Sequence, residues 1–109
     1  MKDDKLYLIH ISECIEHIES YVSRMDKKAF MTSTLVQDAV VRNLQVMAES
    51  TQRLSDRARN THPEIDWYRI AGFRNILVHD YLGIDMETIW NIVEKEIPAL
   101  KATVRVMMD

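Results

Sequence analysis

At 109 residues and 47 % apolar composition, the chain can bury one core and is too short for two ordinary domains. Two glycines and two prolines leave little material for the many turns of an all-β fold. A net charge of −3 argues against coating nucleic acid by bulk charge and leaves room for a small local basic site.

Cys14 is the single cysteine, so no intramolecular disulfide can form and a reducing compartment is expected. The stretch MKDDKLYLIH carries acids and does not read as a secretory signal, and no later run is long enough to span a bilayer. A cytoplasmic location without membrane contact is the expectation.

Tyr7, Ile11, Cys14, Ile18, Tyr21 and Met25 recur at spacings of three and four, which predicts a first helix from about Lys5 to Arg24. Met25 and Asp26 with Phe30 resemble a capped turn. Val36, Val40, Leu44, Met47, Leu54 and Ala58 form a second stripe, predicting a helix that lasts to about Asn60, with Thr34 as its cap and Gln37 as the capping-box partner.

Two later starts repeat one device. Asp66 and Asp85 are caps, and Ile65 and Ile84 before them can pack on Ile70 and Ile89 beyond them. The third helix is short, from about Trp67 to Tyr81, with Gly83 as its stop. The fourth follows with Ile89, Trp90, Val93, Ile97, Leu100 and Val104 on one face, and Pro98 should kink it. Four amphipathic helices with short connections predict an all-α, antiparallel four-helix bundle in one domain over residues 1–109.

Within the third helix Trp67, Ile70, Ala71, Leu77, Val78 and Tyr81 share a face, and Arg74 falls near its middle. An unpaired guanidinium out of water is costly, so Arg74 needs a carboxylate, for which Glu49 is a candidate, or a wet cleft facing an anion. Asn75 and His79, four apart, share an adjacent face. An arginine that fits a phosphate beside a histidine that titrates near neutrality suits RNA cleavage, with attack of a 2′-hydroxyl on the adjacent phosphate. One such histidine per chain makes a site shared by two subunits attractive. The other reading of the same spacing is structural: Arg74 pairs with Glu49, and His79 meets the helix dipole.

The run RNILVHDY, residues 74–81, resembles the R-x4-H-x-Y motif of the HEPN superfamily, specifically the HepT-type toxins encoded beside a minimal nucleotidyltransferase antitoxin. The resemblance extends over DAVVRNLQVMAESTQRLS, WYRIAGFRNILVHDYLGID and IWNIVEKEIPAL. It implies one HEPN domain that forms a homodimer and acts as a metal-independent endoribonuclease without a cofactor. Arg74 would hold the phosphate, Asn75 would help to position the site and His79 would transfer the proton. Tyr81 would be the residue that the nucleotidyltransferase modifies with AMP, silencing the toxin in a type VII-like toxin–antitoxin pair. The alternative within the same resemblance is a catalytically silent bundle that binds a nucleotide or a partner. Where relatives often read GEA, this chain has Ala48, Glu49 and Ser50.

Six arginines against four acids between residues 42 and 74 make a modest basic zone. It suits an RNA backbone, an acidic antitoxin surface or plain solvation. His10, Cys14 and His17 follow one side of the first helix, but Cys14 lies in the apolar stripe and no fourth ligand is evident, so no metal site is expected. His62, before Pro63, reads as a loop residue. No glycine-rich phosphate loop is present, which leaves any nucleotide chemistry to the partner.

Overall fold

The computed structural model describes residues 2–79 and 85–109, with side chains for 3–73 and 85–109. The helices are α1 (Lys2–Val22), α2 (Lys27–Thr32), α3 (Thr34–Gln52), α4 (Asp56–Asn60), α5 (Trp67–His79), α6 (Met86–Asn91) and α7 (Ile97–Met108), with a π-helical turn at Ile92–Glu96 joining the last two. Because α6, the π-turn and α7 run on as one rod, four long arms remain, as the four-helix reading expects.

Cross-links between the arms fix their directions. His17 Nδ1 lies 3.1 Å from Asn43 Oδ1, and Asp4 bonds Ser55 just past the end of α3, so α1 and α3 are antiparallel. Lys101 on α7 reaches back to Glu19 on α1 at 2.9 Å. Arg69 pairs with Glu96, and Thr103 donates to Glu64 at 3.5 Å, which sets α5 antiparallel to the final arm. The core between them is built from Ile11, Ile15 and Ile18 of α1, Val40, Leu44 and Met47 of α3, Ile70 and Phe73 of α5, and Ile89, Ile97, Leu100 and Val104 of the last arm.

Three local details depart from the sequence reading. The apparent turn at Asp26 is the start of α2: Asp26 accepts from Ala29 N at 2.8 Å, and Phe30, fully buried, stacks on Trp90 with centroids 5.2 Å apart. Ser33 caps α3 rather than Thr34, its Oγ accepting from Val36 N. Gln37 does not close a capping box because its amide donates to the Phe30 carbonyl at 2.9 Å instead.

The second predicted helix, expected to reach Asn60, is interrupted at residues 53–55. Ser55 accepts from Ala58 N and starts α4, a separate piece capped in its own right. At the other end of the molecule, Pro98 acts through the turn before it. Its ring crowds the carbonyl four residues back and it offers no N–H. The helix opens by one residue there, and Ile97 N bonds the Ile92 carbonyl five positions back, the signature of a π-turn.

The cap at Asp85 is as read, accepting from Glu87 N and Thr88 Oγ1. Ile84, the stop at Gly83 and the end of the third predicted helix at Tyr81 lie outside the described residues. Among the described residues no helix is long and apolar enough to cross a membrane.

Candidate nucleic-acid site on the fifth helix

The helix that carries residues 74–79 of the RNILVHDY run is anchored at its start. Asp66 accepts from Arg69 N at 3.0 Å, and Ile65 and Ile70, the pair of the predicted staple, are both buried. The Trp67 indole N–H is shared between the carbonyls of Arg59 and His62, each at 3.0 Å. The indole thereby ties the first turn of α5 to the end of α4 and to the loop that follows it. Phe73, which the apolar stripe omitted, is buried with Ile70.

From this anchor the helical backbone continues unbroken through His79. Arg74 follows buried Ile70 by one turn, and Asn75 and His79 stand four apart on one stripe. On an ideal helix, five residues separate Arg74 from His79 by about 7.5 Å along the axis and roughly 140° around it. The side chains of Arg74, Asn75 and His79 lie outside the described ones, and Tyr81 lies outside the described residues altogether. Glu49 is on α3, which packs against α5; its expected pairing with Arg74 falls outside the same limit.

The arginine zone is not a single patch. Arg59 is held by Asp56 at 2.7 Å and Arg69 by Glu96. Arg53 and Arg57 flank Ser55 at one end of the bundle, and Arg42 stands partway along α3. Cys14 is buried, and burial, with the charge of Glu13 second, raises its thiol pKa. His17 is occupied with Asn43. His62 pairs with Glu64 at 3.1 Å, and the Glu64 carboxyl is lowered by its own backbone N–H and then by His62.

Among the described residues two sizeable grooves open on the surface. One, of about 560 Å³, lies where the ends of α1, α4 and α7 meet and includes Asp4, Leu8, Arg57, His62 and Met107. The other, of about 530 Å³, runs between α5 and the α6–π-turn segment, lined by Arg69, Thr88, Asn91, Ile92, Lys95 and Glu96. Sequence reasoning missed this second groove. Its signal is weak, an acid and a lysine just before Pro98, and both line the groove from within the π-turn.

Residues 11–107 match the family described as ribonuclease HepT-like. The chain belongs to the HepT-like family. Among curated relatives, this HepT-like chain is 38 % identical over 108 residues to a "Gamma-glutamylcyclotransferase and putative RNase" of Methanocaldococcus jannaschii, covering 99 % of the chain and 49 % of the relative. It thus spans about half the length of that protein. It is 29 % identical over 97 % of both chains to a "Putative RNase" of the same organism. With a "Probable ribonuclease HepT" of Thermococcus cleftensis it shares 34 % identity, over 92 % of this chain and 91 % of the other. No solved structure matches it significantly.

Proposed function

We propose that this HepT-like chain is a metal-independent endoribonuclease, the toxin of a toxin–antitoxin pair, that works in the cytoplasm as a homodimer with two RNILVHDY segments facing one cleft. The observation that carries this reading is the family match over residues 11–107, together with Arg74 and His79 on one continuous, anchored helix. Their angular separation favours a cleft in which one copy's arginine works beside the other copy's histidine.

In the reaction, a base takes the proton of a ribose 2′-hydroxyl and the 2′-oxygen attacks the adjacent phosphorus. The bond to the 5′-oxygen breaks, and that oxygen leaves with a proton. His79 moves the protons, a task an imidazole can perform as both acid and base. Arg74 is permanently charged and offers a fixed fork of donors to the phosphoryl oxygens as charge grows on them. Asn75 positions the site. Tyr81, two residues past His79, is the acceptor of AMP from a nucleotidyltransferase antitoxin. The adduct adds negative charge and bulk where RNA phosphates must enter.

Inducing wild type, His79→Ala and Arg74→Ala without a partner tests the reading. Growth arrest and new RNA fragments with wild type alone are expected. Identical behaviour of all three folded chains would return Arg74 and His79 to structural roles in a silent bundle.

A further inference from the structure

In the groove between α5 and the π-turn, the described ion pair of Arg69 engages only one edge of its guanidinium. Arg69 meets Glu96 Oε1 through its Nε, so the outer edge of the guanidinium, with its two Nη groups, has no described partner and faces solvent on a 61 % exposed side chain. Glu96, more buried, acts as a brace that sets the plane of the fork. Lys95 stands on the facing segment, exposed and without a described ion pair. Asn91 and Thr88, one and two turns earlier, belong to the same lining; the Thr88 hydroxyl donates to Asp85 at 3.1 Å and keeps its oxygen as an acceptor.

From this geometry we infer that the groove is a subsite for an RNA phosphate, bound by the Nη edge of Arg69 and the ammonium of Lys95, with Asn91 and Thr88 beside the adjoining ribose. The inference rests on the ribonuclease reading above and names where the strand runs beyond the reacting phosphate. The chemistry selects the ligand. A planar fork held at one edge by a carboxylate matches two phosphoryl oxygens at the other, and a lysine supplies the second charge without geometric demand. Glu96 cancels one of the two cations, leaving a local excess of one, which suits a single phosphate. The location selects it too: Arg69 lies on the helix that carries Arg74 and His79, so a strand seated here stays alongside that helix. Phosphate contacts of this kind fix the register of a strand and are indifferent to its sequence.

Fluorescence anisotropy with a labelled, fully 2′-O-methylated RNA oligonucleotide tests the subsite, because that probe binds without being cut. Lys95→Gln should weaken binding by about threefold to tenfold and flatten the dependence of log K on log salt by about 0.7, the share of one phosphate on a single strand. Arg69→Lys keeps the charge and loses the fork, and should weaken binding as well. Arg105→Gln, on the α1–α7 side, should bind as wild type. Lys95 is exposed, so its variant should fold, and circular dichroism verifies this. Unchanged affinity and salt slope for Lys95→Gln, with wild type binding normally, would overturn the subsite and leave the ribonuclease reading standing. The same holds if Lys95→Gln loses a co-expressed nucleotidyltransferase but keeps RNA, which would make the groove a protein-docking surface. If wild type binds no RNA at all, the ribonuclease reading fails and the subsite fails with it.

Discussion

Asp4, in the first turn of α1, accepts from both the backbone N–H and the hydroxyl of Ser55, at 2.8 and 2.7 Å, across 51 residues of sequence. Ser55 Oγ in turn accepts from Ala58 N at 3.1 Å. One buried carboxylate therefore ties the start of the chain to the cap of α4, and the interruption after α3 is part of that tie. Asp4→Ala leaves the Ser55 N–H without its partner and should cost about 1–3 kcal/mol, read as a lower urea midpoint with an unchanged slope.

The same contact predicts a pH dependence. Bonds from the Ser55 hydroxyl and then its N–H hold the Asp4 carboxyl below its ordinary 3.8. The stabilisation is therefore complete above the unfolded value and is lost as pH falls through the lower, folded value. Wild type should lose stability more steeply than Asp4→Asn as the pH drops below about 4. Parallel curves in acid urea titrations would contradict this. Glu64, also lowered but exposed, acts in the same direction in both chains, so the variant isolates Asp4.

Phe30 is fully buried against Trp90 although α2 has only six residues. So short a helix does not persist by propensity, and tertiary packing must hold it. Phe30→Ala should destabilise the bundle by about 3–5 kcal/mol, and Phe30→Leu by clearly less; a negligible loss for Phe30→Ala in thermal denaturation would mean that α2 is held by its caps alone.

The bundle was legible because its stripes are long. Ile11, Cys14, Ile18, Val40, Leu44, Met47, Ile97, Leu100 and Val104 lie on the predicted apolar stripes and are buried. Periodicity could not show where one helix becomes two. Ser55 breaks the second stripe through a bond to Asp4, a contact 51 residues away that no local window contains. Likewise Tyr7 and Tyr21, read as core, are half-buried and exposed, while Leu8 and Ile15 are inside. A spacing of three or four leaves the rotation of a stripe uncertain by one residue. For the site, the Arg74 and His79 positions stood out in the sequence, but the α5 groove did not, since it depends on a π-turn set by Pro98.

Cys14 is free and buried, and its raised thiol pKa disfavours the reactive thiolate. A thiol reagent at neutral pH should label the native chain far more slowly than the urea-unfolded chain. Comparable rates would mean that α1 opens readily from the bundle.

Asp66 caps the helix on which the proposed chemistry depends. Asp66→Ala should cost about 1 kcal/mol of stability. If the register of α5 matters to the site, RNA cleavage should fall at temperatures where the fold remains intact by circular dichroism. Retention of full cleavage would separate the cap from the site.

The most direct measurement is cleavage of a defined single-stranded RNA by the purified chain in the presence of a metal chelator, with the product ends identified by mass spectrometry. Wild type should give 2′,3′-cyclic phosphate ends, and folded His79→Ala and Arg74→Ala should give at least a hundredfold less product, the scale of a lost acid–base group or charge-stabilising contact. Cleavage that persists unchanged in His79→Ala, or that stops only because the chelator was added, would contradict the account.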